Sequence, residues 1–279
     1  MIFRCFFMRM FPAIFLLAFL LTGCGEPQKT AVPPRAGDLR ILSLVTCADN
    51  IIAELGAKEK IAAIDRHGRV LESMQNTPVT VAGGMVSREM LRQYKINHAI
   101  IWYYQRNLIG VLQKEGVSVT VIQPLSLKNY PELVSKLGSL CNKSEAAGKI
   151  IKKFNELLPE NTPSVTGSKT VYLELYAQWK SPAKAGYIDE ILGRAGGKLA
   201  VSGSFNGTVS PEAVALAKPE AVFFVEGFTS AEELAGRVAL RNSPAVRNKK
   251  IYAIPRKLVC EGVAPEELFK FLSDKIKDL

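Results

Sequence analysis

Residue types from which catalytic and metal-binding sites are built are scarce in this chain. Its 279 residues include two histidines, His67 and His98, and five cysteines. No two cysteines form a Cys-x-x-Cys pair, so neither a zinc site nor a disulfide framework is indicated. The motifs G-x-S-x-G and G-x-G-x-x-G are also missing, and "GRAGGKLA" (193–200) lacks the spacing of a phosphate-binding loop. We therefore expect a protein that is not an enzyme, with no catalytic residues, no metal site and no resident cofactor.

The chain also lacks an apolar run long enough to cross a membrane. The stretch "MFPAIFLLAFLL" (10–21) has twelve residues and follows Arg4 and Arg9. As a helix it would span about 18 Å, against a hydrocarbon core of about 30 Å. A short apolar segment behind a positively charged start is typical of a secretory signal. Residues 1–24 are therefore predicted to be a signal peptide.

The signal segment ends in "LTGC" (21–24), which resembles the lipobox of bacterial lipoproteins. The resemblance implies that Cys24 becomes the lipid-modified first residue and that 25–38, polar and rich in proline, is a tether. A cleaved signal whose cysteine is incidental is the alternative. We expect an exported protein held at the cell envelope by its lipid, facing the periplasm or on the outer face of the cytoplasmic membrane.

Acidic residues are outnumbered by basic ones. The chain has 26 Asp and Glu against 36 Lys and Arg, which gives a formal charge of +10. A basic chain could bind nucleic acid, anionic lipid or an anionic ligand. Export argues against nucleic acid as a partner. Because the basic residues are spread along the chain, a solvated basic surface beside an anionic membrane is an equal interpretation.

From residue 39 onward, strand-like and helix-like segments alternate. "LRILSLV" (39–45) indicates a buried strand, and "CADNIIAELG" (47–56) indicates the helix that follows it. Thr46 and Asp49 have the spacing of a capping box at the start of that helix. Alternation of this kind predicts a mostly parallel sheet with helices on both faces.

The alternation occurs twice, separated by a helical stretch. We divide the mature chain into an N-terminal lobe (39–129), a helical segment that includes an interdomain helix (130–158) and a C-terminal lobe (168–279). The predicted fold is α/β, with two Rossmann-like lobes joined by that long helix. A short repeated motif supports duplication, because "VSREML" (86–91) and "VSPEAV" (209–214) each precede a helical pattern and an apolar strand.

Aromatic and basic side chains gather where strands are predicted to end. "WYYQRN" (102–107) and "YAQWKSPAKAGY" (176–187) hold both tryptophans, and His67 follows another strand in "DRHGR" (65–69). Open α/β folds bind ligands at the carboxyl ends of parallel strands. Rings and cations from both lobes suit a large, flat or anionic ligand held between them. Core packing of some rings, and an ordinary loop position for His67, are open alternatives.

Five blocks of the chain are similar to a known family. "RILSLVTCADNIIAELGAKEKIAAIDRHGR" (40–69) and "VAGGMVSREMLRQYKINHAIIW" (81–102) resemble the first lobe of the cobalamin, haem and ferric-siderophore binding proteins of ABC importers. "GYIDEILGRAGGKLA" (186–200) and "VSPEAVALAKPEAVFF" (209–224) resemble their second lobe, and "SPAVRNKKIYAIP" (243–255) resembles the entry into their last strand. The resemblance extends in order over nearly all of the mature chain.

The resemblance implies a class III periplasmic binding protein with its ligand in the cleft between the lobes. It also implies a partner. Glu89 and Glu212 match the exposed glutamates, one on each lobe, that meet arginines of the membrane permease and so connect to its ATPase. A glutamate in the first turn of a helix also complements the helix dipole, and that is the alternative reading. We expect the protein to be a monomer.

The implied cargo is a metal chelate. We place a ferric siderophore first because the basic candidates suit an anionic complex, and a corrinoid second because the rings offer stacking. Haem is third, with His67 or a cleft tyrosine as axial ligand. The candidate ligand-binding residues are Arg66, His67, Trp102, Tyr103, Arg106, Trp179, Lys180 and Arg256. The rival functions are an exported metal-dependent enzyme of the chelatase type and a lipid-anchored sensor that feeds no permease.

Overall fold

The computed structural model describes residues 39–77, 79–82, 84–158, 168–204 and 206–279. The predicted signal peptide, Cys24 and the tether lie outside these residues. The described residues all fall within one compact unit. None of the helices in these ranges combines the length and the apolar character needed to span a bilayer.

The first five strands form a parallel sheet in the order β3-β2-β1-β4-β5. They are β1 (Ile41–Ser43), β2 (Ile61–Asp65), β3 (Val79–Val81), β4 (His98–Trp102) and β5 (Ser118–Ile122). Successive side chains of a strand point to opposite faces of the sheet. Ile41 accordingly packs in one core cluster and Leu42 in another. A central strand buried on both faces is mostly apolar, as Ile41 and Leu42 are, and Ser43 is the buried polar residue at its end.

Three helices accompany this sheet: α1 (Thr46–Glu54), α2 (Arg88–Gln93) and α3 (Ile109–Lys114). The predicted capping box of α1 is wrong. Val45 is the N-cap, and no side chain caps the helix. Asp49 points into the protein instead, and Gly68 makes room for it: a Cβ on Gly68 would lie 2.7 Å from Oδ2 of Asp49.

Two helices, α4 (Tyr130–Leu140) and α5 (Ser144–Leu157), follow the first sheet in the chain. The break between them includes Asn142, whose φ is +56°. The helices approach closely, since a Cβ on Gly138 would lie 2.5 Å from that of Ala147. The 14 residues of α5 correspond to a length of about 21 Å.

The remaining strands form a second parallel sheet in the order β7-β6-β8-β9. Its elements are β6 (Lys169–Glu174), α6 (Tyr187–Arg194), β7 (Gly197–Leu199), α7 (Pro211–Ala217), β8 (Ala221–Val225), α8 (Ala231–Gly236), α9 (Pro244–Arg247), β9 (Ile251–Ile254) and α10 (Pro265–Lys277). The sequence patterns missed β7, because it is a three-residue edge strand that begins with glycine. A Cβ on Gly197 would lie 2.5 Å from a methyl group of Leu192 in α6, so a larger residue there would require the leucine side chain to shift.

The two sheets share one connection pattern. In the first, the chain leaves β3, forms α2 and enters β4, which pairs with β1 on the side opposite β2. In the second, the chain leaves β7, forms α7 and enters β8, which pairs with β6 on the side opposite β7. The repeated Val-Ser-x-Glu motif therefore begins topologically equivalent helices. The predicted class, two α/β lobes with parallel sheets and flanking helices, is confirmed.

Candidate ligand-binding cleft

The carboxyl ends of strands from both sheets border one cleft with a volume of about 1070 Å³. The first lobe lines it with residues that follow β1, β2, β4 and β5, and the second with residues that follow β6, β8 and β9 and with the start of α6. This is where parallel α/β sheets place their ligand-binding loops. The volume suffices for a ligand of macrocycle size.

The first-lobe wall carries a cluster of three rings in the segment after β4. Trp102 and Tyr104 stack with centroids 6.3 Å apart, and Tyr103 meets Tyr104 edge-on at 5.4 Å. The backbone amide of Trp102 donates to Oε1 of Gln105 at 2.9 Å, which fixes the turn into the 3₁₀ helix Tyr103–Leu108. All four residues line the cleft.

The second-lobe wall is built around Tyr176 and Phe228, whose rings pack edge-to-face with centroids 5.4 Å apart. The guanidinium of Arg256 lies over Phe228, 5.2 Å from its centroid. The Tyr176 hydroxyl donates to the carbonyl of Val259 at 3.1 Å. Burial raises the pKa of Tyr176, so this hydroxyl stays protonated. The wall thus offers apolar area with one fixed cation.

Four of the eight predicted ligand-binding residues line the cleft: His67, Trp102, Tyr103 and Arg256. His67 is largely exposed, and its Nε2 lies 3.9 Å from Oδ1 of Asp65. The other histidine, His98, is buried in β4, where Nε2 lies 2.9 Å from the Thr120 hydroxyl. Burial lowers the pKa of His98 to about 4, so it is neutral at physiological pH.

The other four predicted residues lie outside the cleft lining. Arg66 and Arg106 are exposed. The Lys180 ammonium donates to the Asn206 carbonyl at 2.8 Å and to the Thr208 hydroxyl at 2.6 Å, so it holds its own loop together. With Arg256 offset by Asp65 and Glu261, the charged lining has no excess of cations.

Trp179 lies outside the cleft lining and packs against residues of its own lobe. Its ring packs against Tyr172 with centroids 6.2 Å apart, and the Arg237 guanidinium lies 5.1 Å from its centroid. Its backbone amide donates to Oε2 of Glu174 at 3.0 Å, and its φ is +58°. The loop is therefore fixed by a buried carboxylate and directs the indole into the core of the lobe.

Some cleft residues were not found from sequence. Phe228, Cys260 and Tyr187 all line the cleft, and none was singled out as a candidate. Phe228 stands three residues after β8, so the strand-end rule would have found it had it been applied to every strand. Cys260 and Tyr187 carried no local signal, because a helix or turn separates each from the nearest strand end.

Two of the three described cysteines, Cys47 and Cys260, line the cleft, and Cys141 lies at the end of α4. All three are free thiols. Burial raises the pKa of Cys260, while the neighbouring Tyr176 hydroxyl and Arg256 guanidinium act in the opposite direction. Burial also raises the pKa of Cys47. Within the described ranges no three His, Cys, Asp or Glu side chains come together to hold a bare metal ion.

Glu89 and Glu212 are exposed in the first turns of α2 and α7. The Ser87 hydroxyl accepts from the Met90 amide at 3.1 Å, and the Ser210 hydroxyl accepts from the Ala213 amide at 3.1 Å. Hydrogen bonds at the helix start lower the pKa of Glu212. Each of these helices thus presents an exposed carboxylate behind a serine cap.

A sequence model described as periplasmic binding protein matches residues 101–258. Among solved structures, the heme-binding protein RhuT from Roseiflexus sp. RS-1 has a TM-score of 0.74 at 18% identity, over 87% of this chain and 99% of that one. A periplasmic heme-binding protein from Pseudomonas aeruginosa has 0.72 at 18%, over 86% and 92%. CeuE of Helicobacter pylori, in a nickel–histidine complex, has 0.70 at 16%, over 86% and 83%. No curated protein sequence matches.

Proposed function

Because the chain belongs to the periplasmic binding protein family, we propose that it is the solute-binding component of an ABC importer for a metal chelate. The observation that carries the proposal is the cleft of about 1070 Å³, bordered by strand ends of both lobes and lined by aromatic rings from each. The lobes clamp the chelate and present it to a membrane permease. The lipid on Cys24 would keep the monomeric protein at the membrane that holds the permease and its ATPase.

The lining favours a flat macrocyclic chelate, haem or a corrinoid, over a ferric siderophore. Trp102, Tyr103 and Tyr104 on one wall and Tyr176 and Phe228 on the other offer rings for stacking. A cationic site for an anionic siderophore is less favoured, because Arg256 is the single arginine among the described residues that line the cleft. At the rim, Arg256 suits a peripheral carboxylate of the ligand. Two of the structural relatives are described as heme-binding proteins, which agrees with a macrocyclic ligand.

The ligand class is tested by binding. The full chain, purified in detergent, is examined by absorbance for a coloured ligand that co-purifies. It is then titrated with haem, cobalamin and a ferric siderophore, following tryptophan fluorescence. We expect a macrocycle to bind and quench, since Trp102 lies in the cleft lining. Binding of the siderophore alone would overturn the macrocycle assignment, and binding of none of the three would overturn the metal-chelate proposal.

We further propose that Glu89 and Glu212 dock the protein to arginines of the permease. Their equivalent places on α2 and α7 would let one partner contact both lobes at once. Replacing both by alanine should reduce uptake to the background of a strain without the protein, while ligand affinity is retained. Loss of affinity together with uptake would instead indicate damage to the fold or cleft.

Glu232 provides a matched control for this experiment. It is exposed in the first turn of α8, behind the cap Ser230, and hydrogen bonds at the helix start lower its pKa as they do for Glu212. If the glutamates serve only the helix dipole, Glu232→Ala and Glu212→Ala should have equal effects. We expect normal uptake for Glu232→Ala. Normal uptake in the Glu89/Glu212 double variant would reject docking.

A further inference from the structure

The second-lobe wall contains a thiol that stacking and clamping do not require. Cys260 is half-buried in the lining, six residues after the end of β9. Cys47 lines the same cleft from the first lobe but is fully buried. A Cβ on Gly262, two residues beyond Cys260, would lie 3.4 Å from Sγ of Cys47, so the two cysteine segments pack together. A soft sulfur donor thus faces the space assigned to the chelate.

Burial raises the pKa of Cys260, but two neighbouring groups act in the opposite direction. The Tyr176 hydroxyl and the Arg256 guanidinium both lie beside it and favour its charged form. Sγ is 3.7 Å from the carbonyl of Arg256, which is a long and weak contact. Thiolates are preferred next to cationic and hydrogen-bonding groups. The Arg256 carbonyl therefore does not hold the sulfur away from a ligand.

A second, independent observation points to a ligand at this place. Tyr187, at the start of α6, lines the cleft while only 1% of its surface is exposed. Its hydroxyl makes no hydrogen bond of normal geometry, although the Gly262 amide approaches it. The Gly262 amide can only donate to the hydroxyl oxygen, so the hydroxyl proton has no acceptor among the described residues, and an unpaired buried donor is unfavourable. An oxygen of a bound ligand would accept that proton.

On the basis of the proposed function, we propose that the Cys260 sulfur binds the metal of the chelate directly, with the Tyr187 hydroxyl donating to an oxygen of the same ligand. As the sulfur–metal bond forms, the thiol proton passes to solvent, and no electron is transferred. Bond formation requires a metal with an open axial position. Iron porphyrin has one, whereas a siderophore that surrounds its iron has none. The cargo is therefore a macrocycle that can accept an axial thiolate.

Neighbouring donors are less suited to this role. Cys47 has no exposed surface. The Tyr176 hydroxyl is already donating to the Val259 carbonyl. His67 is on the opposite wall, and an axial histidine there would be compatible with sulfur on this side. Cys260 is accordingly the donor on the second-lobe wall.

The test separates the metal–sulfur bond from every other contact. Full-length protein in detergent, freed of bound ligand, is titrated with iron(III) protoporphyrin and with metal-free protoporphyrin. The variants are Cys260→Ala and Cys260→Ser, with Cys141→Ala as the control for loss of a thiol outside the cleft. We expect both Cys260 variants to lose about 10-fold or more in affinity for the iron porphyrin, and to bind the metal-free one like the wild type. Cys141→Ala should bind both porphyrins normally.

Spectra give a second readout, which would not change if Cys260 contributed only by packing against the ligand. The optical and EPR spectra of the ferric complex distinguish an axial sulfur from oxygen or nitrogen. We expect the sulfur signature in wild type, Cys141→Ala and Tyr176→Phe, and its loss in both Cys260 variants. Iron porphyrin binding with unchanged affinity and spectrum in Cys260→Ala would overturn the inference and leave the proposed function standing. An oxygen signature in the wild type that is lost only in Tyr176→Phe would move the ligand to that phenol and also overturn it. If no chelate of any class binds, both fail.

Discussion

Among the described residues, each lobe has one carboxylate that is almost completely buried, Asp49 in the first lobe and Glu174 in the second, and their surroundings differ. Glu174 of the second lobe, 1% exposed, ends β6 and accepts from the Tyr172 hydroxyl at 2.8 Å. It also accepts from the Trp179 amide at 3.0 Å and, through both oxygens, from Nη1 of Arg237 at 2.9 and 2.6 Å. Asp49 of the first lobe has no exposed surface, and neither of its oxygens makes a hydrogen bond of normal geometry.

The difference shows that a shared topology does not dictate how a charge is accommodated. In the second lobe the carboxylate organises a loop, because its partners come from β6, the loop with Trp179 and the segment after α8. Among the described residues of the first lobe, no donor comparable to Arg237 reaches Asp49. Burial therefore raises the pKa of Asp49, opposed only weakly by the nearby Ser43. Glu174 thus connects several segments of its lobe through hydrogen bonds, whereas Asp49 is buried without donors of that kind, and its pKa is raised.

The largest effect is expected from Glu174→Gln. The change leaves Arg237, whose side chain is 8% exposed, without its buried counter-ion. Removing one partner of a buried ion pair costs about 3–5 kcal/mol. The free energy of unfolding, measured by urea denaturation, should fall by about that amount. Glu220→Gln is the control, because Glu220 and Lys169 are both more than a third exposed and their pair contributes about 0–1 kcal/mol. Equal losses of unfolding free energy in the two variants would show that the buried pair of Glu174 contributes no more than the exposed pair of Glu220.

Asp49→Asn should have a smaller effect of opposite sign. Because burial raises the folded-state pKa of Asp49, its contribution is most favourable below the ordinary carboxyl pKa and is lost as pH rises toward the raised one. Asparagine cannot ionise, so the variant should gain about 1–3 kcal/mol in unfolding free energy at neutral pH. The gain should vanish near pH 4, about where a free Asp titrates.

The measurement is urea unfolding of both proteins across that pH range. Asp274→Asn is the control, since Asp274 is exposed on α10 and should show no pH-dependent gain. A variant at Asp49 that is less stable than wild type at neutral pH would mean that the carboxylate has a partner that stabilises its charge.

The smallest expected effect compares the two tryptophans. Trp102 lies in the cleft lining, whereas Trp179 is held in the second lobe by the hydrogen bond that its backbone amide donates to the Glu174 carboxylate. Loss of one stacked ring costs about 0.5–1.5 kcal/mol, so Trp102→Leu should weaken macrocycle binding by up to about tenfold. Trp179→Leu should leave the affinity unchanged. Titration of each variant with iron porphyrin checks this. Equal losses of affinity in the two variants would mean that Trp179 also contacts the ligand.

Much of the fold was predictable from local patterns. Buried parallel strands such as β1 and β8 are apolar on both faces, and serine caps such as Ser87 and Ser210 mark helix starts within four residues of chain. The cleft was only half predictable. Placing a residue after a strand puts it at the correct edge of a sheet, but it does not say whether the side chain points into the cleft. Lys180 and Trp179 both follow β6, and both are engaged by residues of their own lobe.

The sequence by itself determined which segments form strands and helices, the repeat of that pattern, and the two equivalent glutamates. Secondary-structure propensity, apolar periodicity and helix capping each act over a few residues, so short segments are enough to show them. The composition of the cleft and the fate of each buried acid depend on contacts between distant segments. Glu174 meets Arg237 across 63 positions of the chain. Cys47 and Cys260 come from different lobes. No local sequence pattern predicts these long-range contacts, because they form only when the two sheets and the helices around them pack together.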